Sequence, residues 1–189
     1  MQSAGGLTPE DDSAARPVYS LESGPAAGVL GAAHVARRLG VLNVITLDIG
    51  GTTAKASLIE NGIVSYSPEY EVGASLSATN RLVGGGGERI LAPTIDIAEI
   101  GAGGGSVAHL DLAGGLHVGP RSAGARPGPV CYQKGGQEPT LTDADVVLGY
   151  IRPGLLANGD IHVSYEAAWR AIDEKIAQPL GMDVVRAAE

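Results

Sequence analysis

Between residues 23 and 40 the apolar and small side chains of Ala26, Ala27, Val29, Leu30, Ala33 and Leu39 recur at helical spacing, which predicts a helix over about 24–39. Ser23 is placed to cap it, Pro25 to sit near its first position, and Gly40 to stop it behind Arg37 and Arg38. So many alanines and glycines on one helix predict close packing against a sheet. The apolar run Asn43–Ile49 predicts a buried strand, Ala54–Ile59 its partner, and Asn61-Gly62 a two-residue turn into a third strand, Ile63–Tyr66. Upstream, Gly5-Gly6, Pro9, Pro17 and the acidic Glu10-Asp11-Asp12 make residues 1–22 a loop with at most a short helix from Pro9. Residues 73–92 hold Gly84–Gly87 and little periodicity, which predicts a mobile glycine-rich excursion. Order resumes with a strand over Ala92–Ile100 that leads into Gly101–Ser106, followed by a hairpin of Val107–Leu112 and Leu116–Val118 about Gly114-Gly115. The Gly/Pro loop Gly119–Gly136 is long for a connector, a length that points to function. Thr142 can cap a helix of about Asp143–Tyr150, and Ser164 one of about Tyr165–Gln178 that Pro179 closes.

Composition narrows what such a chain can be. Its 189 residues are the size of one domain, long enough to bury a real core. The 29 glycines cluster beside apolar segments and so read as tight turns and close backbone approaches within a folded protein. A net charge of −8, with 13 basic residues scattered singly, offers no footprint for nucleic acid or an anionic membrane surface. Cys131, the only cysteine, excludes an internal disulfide and suits a reducing compartment. No apolar run spans a bilayer and Met1–Gly6 lacks the regions of a signal peptide, so a cytoplasmic protein is expected.

The most informative stretch is residues 46–59, where an apolar strand enters Asp48-Ile49-Gly50-Gly51-Thr52-Thr53 and leaves as a second strand. Paired glycines let backbone N–H groups approach an anion without a Cβ between them, and the threonine hydroxyls add donors. Asp48, acceptor-only when ionised, needs a metal ion or its water shell between itself and a polyphosphate. From these residues alone a tight hairpin whose Asp and Thr satisfy their own backbone stands equally open. His34, His109, His117 and His162 lack the spacing of a shared metal site. Cys131 has no sequence-adjacent base and reads as a small buried residue. Asp143 and Asp145 suit a helix N-terminus. Arg121 and Arg126 can each hold an anion or pair with a carboxylate.

The chain as a whole resembles the hydantoinase A and 5-oxoprolinase family. The likeness rests on Ser23-Gly24-Pro25-Ala26-Ala27-Gly28, on Asp48–Thr53, on Asp96-Ile97 with Gly101–Ser106, on Gly119–Ala125 with Pro127-Gly128-Pro129 and Cys131-Tyr132, and on Pro139–Ala144. Any one block is weak; together and in order they are specific.

By that resemblance the fold is an α/β, ribonuclease-H-like lobe of the actin and sugar-kinase type, a mixed sheet with flanking helices. Residues 46–59 are then the second of two phosphate hairpins, with Asp48 acting through Mg²⁺ and Gly50, Gly51, Thr52 and Thr53 on the phosphates of ATP. Gly103, Gly104 and Gly105 lie near the adenosine, and Asp143 has a role in the cleft. The first hairpin belongs to an N-terminal lobe missing from these 189 residues, which read as a single-domain fragment of a protein several times longer and inactive by itself. The resemblance implies an ATP-dependent enzyme that opens cyclic amides through a phosphorylated intermediate, with a second subunit of the hydantoinase B type. Ketone carboxylation, sugar-kinase-like chemistry and a non-catalytic assembly lobe are the alternatives. Many relatives have Asp where Lys55 stands; a lysine there either offsets phosphate charge or points into solvent.

Overall fold

The computed structural model describes residues 1–72, 88–156 and 159–189, so the glycine run at 84–87 lies outside the described residues. Contacts divide the chain into two compact bodies, one of Met1–Asp48 with Ala54–Ile100 and one of Ile49–Thr53 with Gly101–Glu189.

The first body opens with helix α1 (Glu10–Ala15) and a 3₁₀ turn at Pro17–Ser20, then helix α2 (Ser23–Arg38). Strands β1 (Val44–Ile49), β2 (Ala54–Glu60) and β3 (Ile63–Val64) follow as a meander. Asn61 and Gly62, at φ 52° and 75°, supply the positive φ that a two-residue hairpin turn of this kind requires. Short strands β4 (Tyr66–Ser67), β5 (Tyr70–Val72), β6 (Glu88–Ile90), β7 (Thr94–Ile95) and β8 (Ala98–Ile100) complete it, and β8 joins the main sheet beside β2 with Lys55 opposite Glu99. The single strand expected over 92–100 is therefore two. Each register shown by the described strands is antiparallel, so the sheet is not mixed. Ala26, Val29 and Ala33 of α2 pack on Ile59, Val64 and Ile95, the close helix–sheet contact that small side chains allow.

Two expectations fail here for physical reasons. The N-cap of α2 is Glu22, not Ser23: Glu22 takes the left-handed conformation (φ 58°, ψ 16°) and provides no side-chain cap, so Ser23 is the first helical residue and Pro25 the third. Its carboxylate is occupied elsewhere, accepting from Tyr70 Oη at 3.1 Å and pairing with Lys55 Nζ, which also lies 3.3 Å from Glu99 Oε1. Lys55 is thus neither a free cation nor a solvated strand lysine: its side chain is only 15 % exposed between two carboxylates. Burial disfavours its charge, but Glu22 and Glu99 outweigh it and hold its pKa above the ordinary lysine value. Lys55→Met removes the cation from both carboxylates and leaves Glu22 only its Tyr70 donor, and should cost about 1–2 kcal/mol, about 3–6 °C in the melting temperature; an unchanged melt would contradict this. The second failure is β1, whose Ile45 and Leu47 are 74 % and 67 % exposed although the run reads as a buried strand.

In the second body, strands β9 (Ser106–Leu110) and β10 (Leu116–Ser122) form the expected hairpin, with His109 opposite His117. A 3₁₀ turn at Val130–Tyr132, helix α3 (Leu141–Val147) and strands β11 (Gly154–Leu156) and β12 (Ile161–Val163) come next. Helix α4 (Tyr165–Ile172) is capped by Ser164, whose Oγ accepts from Ala167 N at 3.2 Å. It runs into a π turn at Asp173–Ala177 and helix α5 (Gln178–Leu180); the chain passes Pro179 and stops at Gly181, φ +65°. Helix α6 (Val184–Ala188) closes the body. Cys131, Val146, Val163, Ala168, Ile172 and Ile176 form its core. Among the described residues no helix is long and apolar enough to cross a membrane.

Candidate functional site

The tip Ile49–Thr53 belongs to the second body, where a ladder of backbone bonds holds it. Gly50 N–H donates to the Thr53 carbonyl at 2.9 Å and closes the turn. From the glycine turn, Gly104 N–H donates to the Gly50 carbonyl at 3.0 Å and Gly105 N–H to the Gly51 carbonyl at 2.7 Å. That turn is itself pinned: Gly103 N–H donates to Ser106 Oγ at 2.9 Å, Ala123 N–H to the Gly105 carbonyl at 2.8 Å, and Thr142 N–H and Oγ1 both to the Gly104 carbonyl at 2.8 Å. The glycine turn therefore fixes the tip through main-chain atoms and is itself held by two distant positions, Ala123 and Thr142.

Glycine is required here by proximity. A Cβ on Gly103 would lie 2.7 Å from the Gly50 carbonyl oxygen, 2.8 Å from Thr52 N and 2.9 Å from the Gly51 carbonyl carbon, and one on Gly105 would lie 2.8 Å from the Gly51 oxygen. Because the obstruction is backbone, it cannot swing aside. Gly103→Ala should displace the tip at a cost of about 2–3 kcal/mol, seen as a lowered melting temperature, whereas Gly51→Ala should leave the melt unchanged. The N–H groups of Gly103, Gly104 and Gly105 all donate within the protein, so these residues serve as a buttress and have no donor left for a nucleotide.

Gly51 is the opposite case. It is exposed, and a Cβ there would meet nothing within 4 Å. Among the described residues the N–H groups of Gly51 and Thr52 find no acceptor. Gly50 and Thr52 are exposed and Thr53 half-buried. Two main-chain donors and the adjacent hydroxyls, rigidly held and open to solvent, fit an anion such as a phosphate. In the first body, Asp48 ends the sheet with an exposed carboxylate that has no partner among the described residues. No group of three or more His, Cys, Asp or Glu among the described residues is placed to hold a metal.

The remaining candidates have structural work. Asp143 is 0 % exposed and accepts from Cys131 N at 2.7 Å, Val130 N at 3.2 Å, and Thr140 N and Oγ1 at 2.8 Å each. With Thr140 it forms a capping box that starts α3 two residues before the expected position, and Thr142, expected as the cap, lies inside the helix and reaches the glycine turn instead. The Thr140-x-x-Asp143 spacing was the signal for this box. Burial and the neighbouring Asp143 carboxylate push the Cys131 thiol far above its ordinary pKa, so it is an unreactive core residue. Burial raises the Asp145 pKa. Arg121 is paired with Glu138. His117 Nε2 lies 2.8 Å from Asp111 Oδ2 and stacks on His109, while His162 Nδ1 is 3.3 Å from Gln133 Nε2.

With this geometry in hand, comparison with known proteins places the chain. The sequence profile of the hydantoinase/oxoprolinase family matches residues 1–189. The alpha subunit of caprolactamase from Pseudomonas jessenii is 46 % identical over 99 % of this chain and 25 % of its own length. The gamma subunit of acetophenone carboxylase from Aromatoleum aromaticum is 41 % identical over 89 % of this chain and 22 % of its own. Among solved structures, nucleotide-free acetone carboxylase superimposes with a TM-score of 0.72 at 29 % identity, over 99 % of this chain and 24 % of that one. ATP-dependent caprolactamase from Pseudomonas jessenii gives a TM-score of 0.68 at 44 % identity, over 90 % and 23 %. These 189 residues thus span about a quarter of the relatives they match, and the chain belongs to the hydantoinase/oxoprolinase family.

Proposed function

We propose that these residues are the nucleotide-phosphate-binding lobe, of ribonuclease-H-like and actin-like type, of an ATP-dependent enzyme that opens cyclic amides. The observation that carries this reading is the exposed tip, where Gly51 and Thr52 present unpaired N–H groups on a turn buttressed by Gly103–Gly105. Gly50 and Gly51 let the phosphates approach the main chain, while the Thr52 and Thr53 hydroxyls add donors. A strand-end carboxylate such as Asp48 suits Mg²⁺ that keeps most of its ligands as water and phosphate oxygen. The ion would supply charge neutralisation as the phosphoryl group transfers. The protein's own part is positioning: the backbone ladder fixes the donors before substrate arrives, so no reorganisation is needed during transfer. Phosphoryl transfer from ATP to the amide oxygen releases ADP and makes the carbonyl carbon open to water, after which phosphate and the ring-opened amino acid leave. Asp143 has no catalytic part in this reading, because four donors already occupy it.

Substrate and subunits are read from the relatives. The 46 % identity to a caprolactamase alpha subunit favours a lactam-type ring and a second subunit, for which the family resemblance suggests one of the hydantoinase B type. The carboxylase relatives favour a second reading, in which the same lobe drives ketone carboxylation. One assay separates them: the full-length protein with its partner is given ATP and either a panel of lactams, hydantoins and 5-oxoproline, or ketones with bicarbonate. ADP release that depends on a cyclic amide supports the first reading; release that needs ketone and bicarbonate supports the second. ADP release stimulated by neither would overturn both.

A further inference from the structure

One face of the first body's sheet is covered by α2, and among the described residues the other is bare and apolar. Alternation along the strands sorts the side chains: Val44, Ile59 and Val64 pack toward α2, whereas their neighbours Ile45, Leu47, Leu58 and Ile63 point away from it. These four are 74 %, 67 %, 51 % and 70 % exposed, and Ile100, on the same side of β8, is 61 % exposed. Between them stand Ala56 and Ala98, directly opposite each other, while Glu60 lies opposite Ile63 at the β3 end and puts one carboxylate on the outward face. Its large side chains expose on the order of 600 Å² of apolar surface, the upper end of what a soluble monomer shows in its largest patch. An antiparallel sheet with a solvated face alternates polar residues outward; this one does not.

We infer that this face is the docking surface for a helical layer of the same polypeptide, supplied by the chain that lies beyond these 189 residues. Two features select that occupant. The relatives carry roughly three times as much further chain in the same subunit, since the match covers 25 % of the caprolactamase subunit and 24 % of the acetone carboxylase chain. A second copy is the poorer fit: two such faces together would bury about 1,200 Å², the bottom of the range for specific interfaces and well below that of permanent homodimers. An apolar sheet face is stable only when buried against another layer of secondary structure, and a helix is the layer already on this sheet's first face. The inference rests on the reading of these residues as one lobe of a longer protein, though not on nucleotide binding.

Carbene footprinting of the unmodified full-length protein tests it, with exposed Leu112 as the internal reference. Ile45, Leu47 and Leu58 should label at least about tenfold less than Leu112, unchanged by hundredfold dilution or by removal of any co-purifying subunit. Maleimide reaction of Leu47→Cys and Leu58→Cys variants should be slowed to match, with Cys131 buried and silent. Labelling equal to that of Leu112 would overturn the proposal. Protection lost on dilution would assign the face to a second copy, and protection lost with a subunit to a separate partner; either outcome also overturns it. Labelling at Thr52 and Thr53 with and without MgATP reads the nucleotide site separately, so one reading can fail without the other.

Discussion

Replacing Asp48 by alanine in the full-length protein is expected to lower ATP-dependent turnover by two or more orders of magnitude and to leave the melting temperature almost unchanged. The second half of that expectation comes from the structure: the carboxylate is exposed and has no partner among the described residues, so its loss strands no buried donor. The first half comes from its place as the next-to-last residue of β1, immediately before the tip proposed to hold the phosphates. Deleting a preorganised electrostatic group typically costs about 3–4 kcal/mol in the transition state, about 10²–10³ in rate. A structural aspartate would behave in the opposite way, losing about 1 kcal/mol or more of stability while turnover per folded molecule stayed normal. Both quantities are measured on one variant, and destabilisation with intact turnover would remove Asp48 from the site.

Asp143→Ala should show the reverse signature. Its two oxygens satisfy three main-chain N–H groups and one hydroxyl in a site closed to solvent, joining the 3₁₀ turn at Val130–Tyr132 to the start of α3. Alanine leaves those donors buried and unpaired and removes the capping box, with an expected loss of about 3–5 kcal/mol and about 10 °C or more in melting temperature. Asp143→Asn keeps an acceptor and should lose less. If Asp143→Ala melted like the parent and lost only turnover, the aspartate would belong to the chemistry and the structural assignment would be wrong.

Much of the fold was legible where a local rule decides the outcome. Asn61-Gly62 fixes its turn through positive φ at both residues, Ser164 caps α4 through its own hydroxyl, and Gly114-Gly115 turns the β9–β10 hairpin. The failures are positions where a distant partner decides. Ser23 and Pro25 have the look of a helix start, but Glu22, drawn to Lys55 and Tyr70, takes the cap position instead. Two threonines precede Asp143; the choice between Thr140 and Thr142 is made by the glycine turn, which takes the Thr142 hydroxyl for the Gly104 carbonyl. The run Val44–Ile49 reads as buried because most of its side chains are apolar, yet Ile45 and Leu47 point away from the face that α2 covers. The glycines divide in the same way. The sequence makes Gly51 a candidate for the phosphates and, by the family resemblance, Gly103 one for the adenosine; the backbone packed against Gly103 makes it a buttress and leaves Gly51 as the open approach.

That contrast supplies the most direct test of the central claim, that phosphates are held at the tip. Gly51→Val adds a side chain into space with no protein atom within 4 Å of its Cβ, so the variant should melt like the parent. The same side chain would stand where the phosphates approach the Gly51 and Thr52 N–H groups. Calorimetric titration of the full-length protein with MgATP should therefore show binding weakened at least about tenfold in Gly51→Val, at unchanged stability. Binding equal to that of the parent, with the variant folded, would contradict the account.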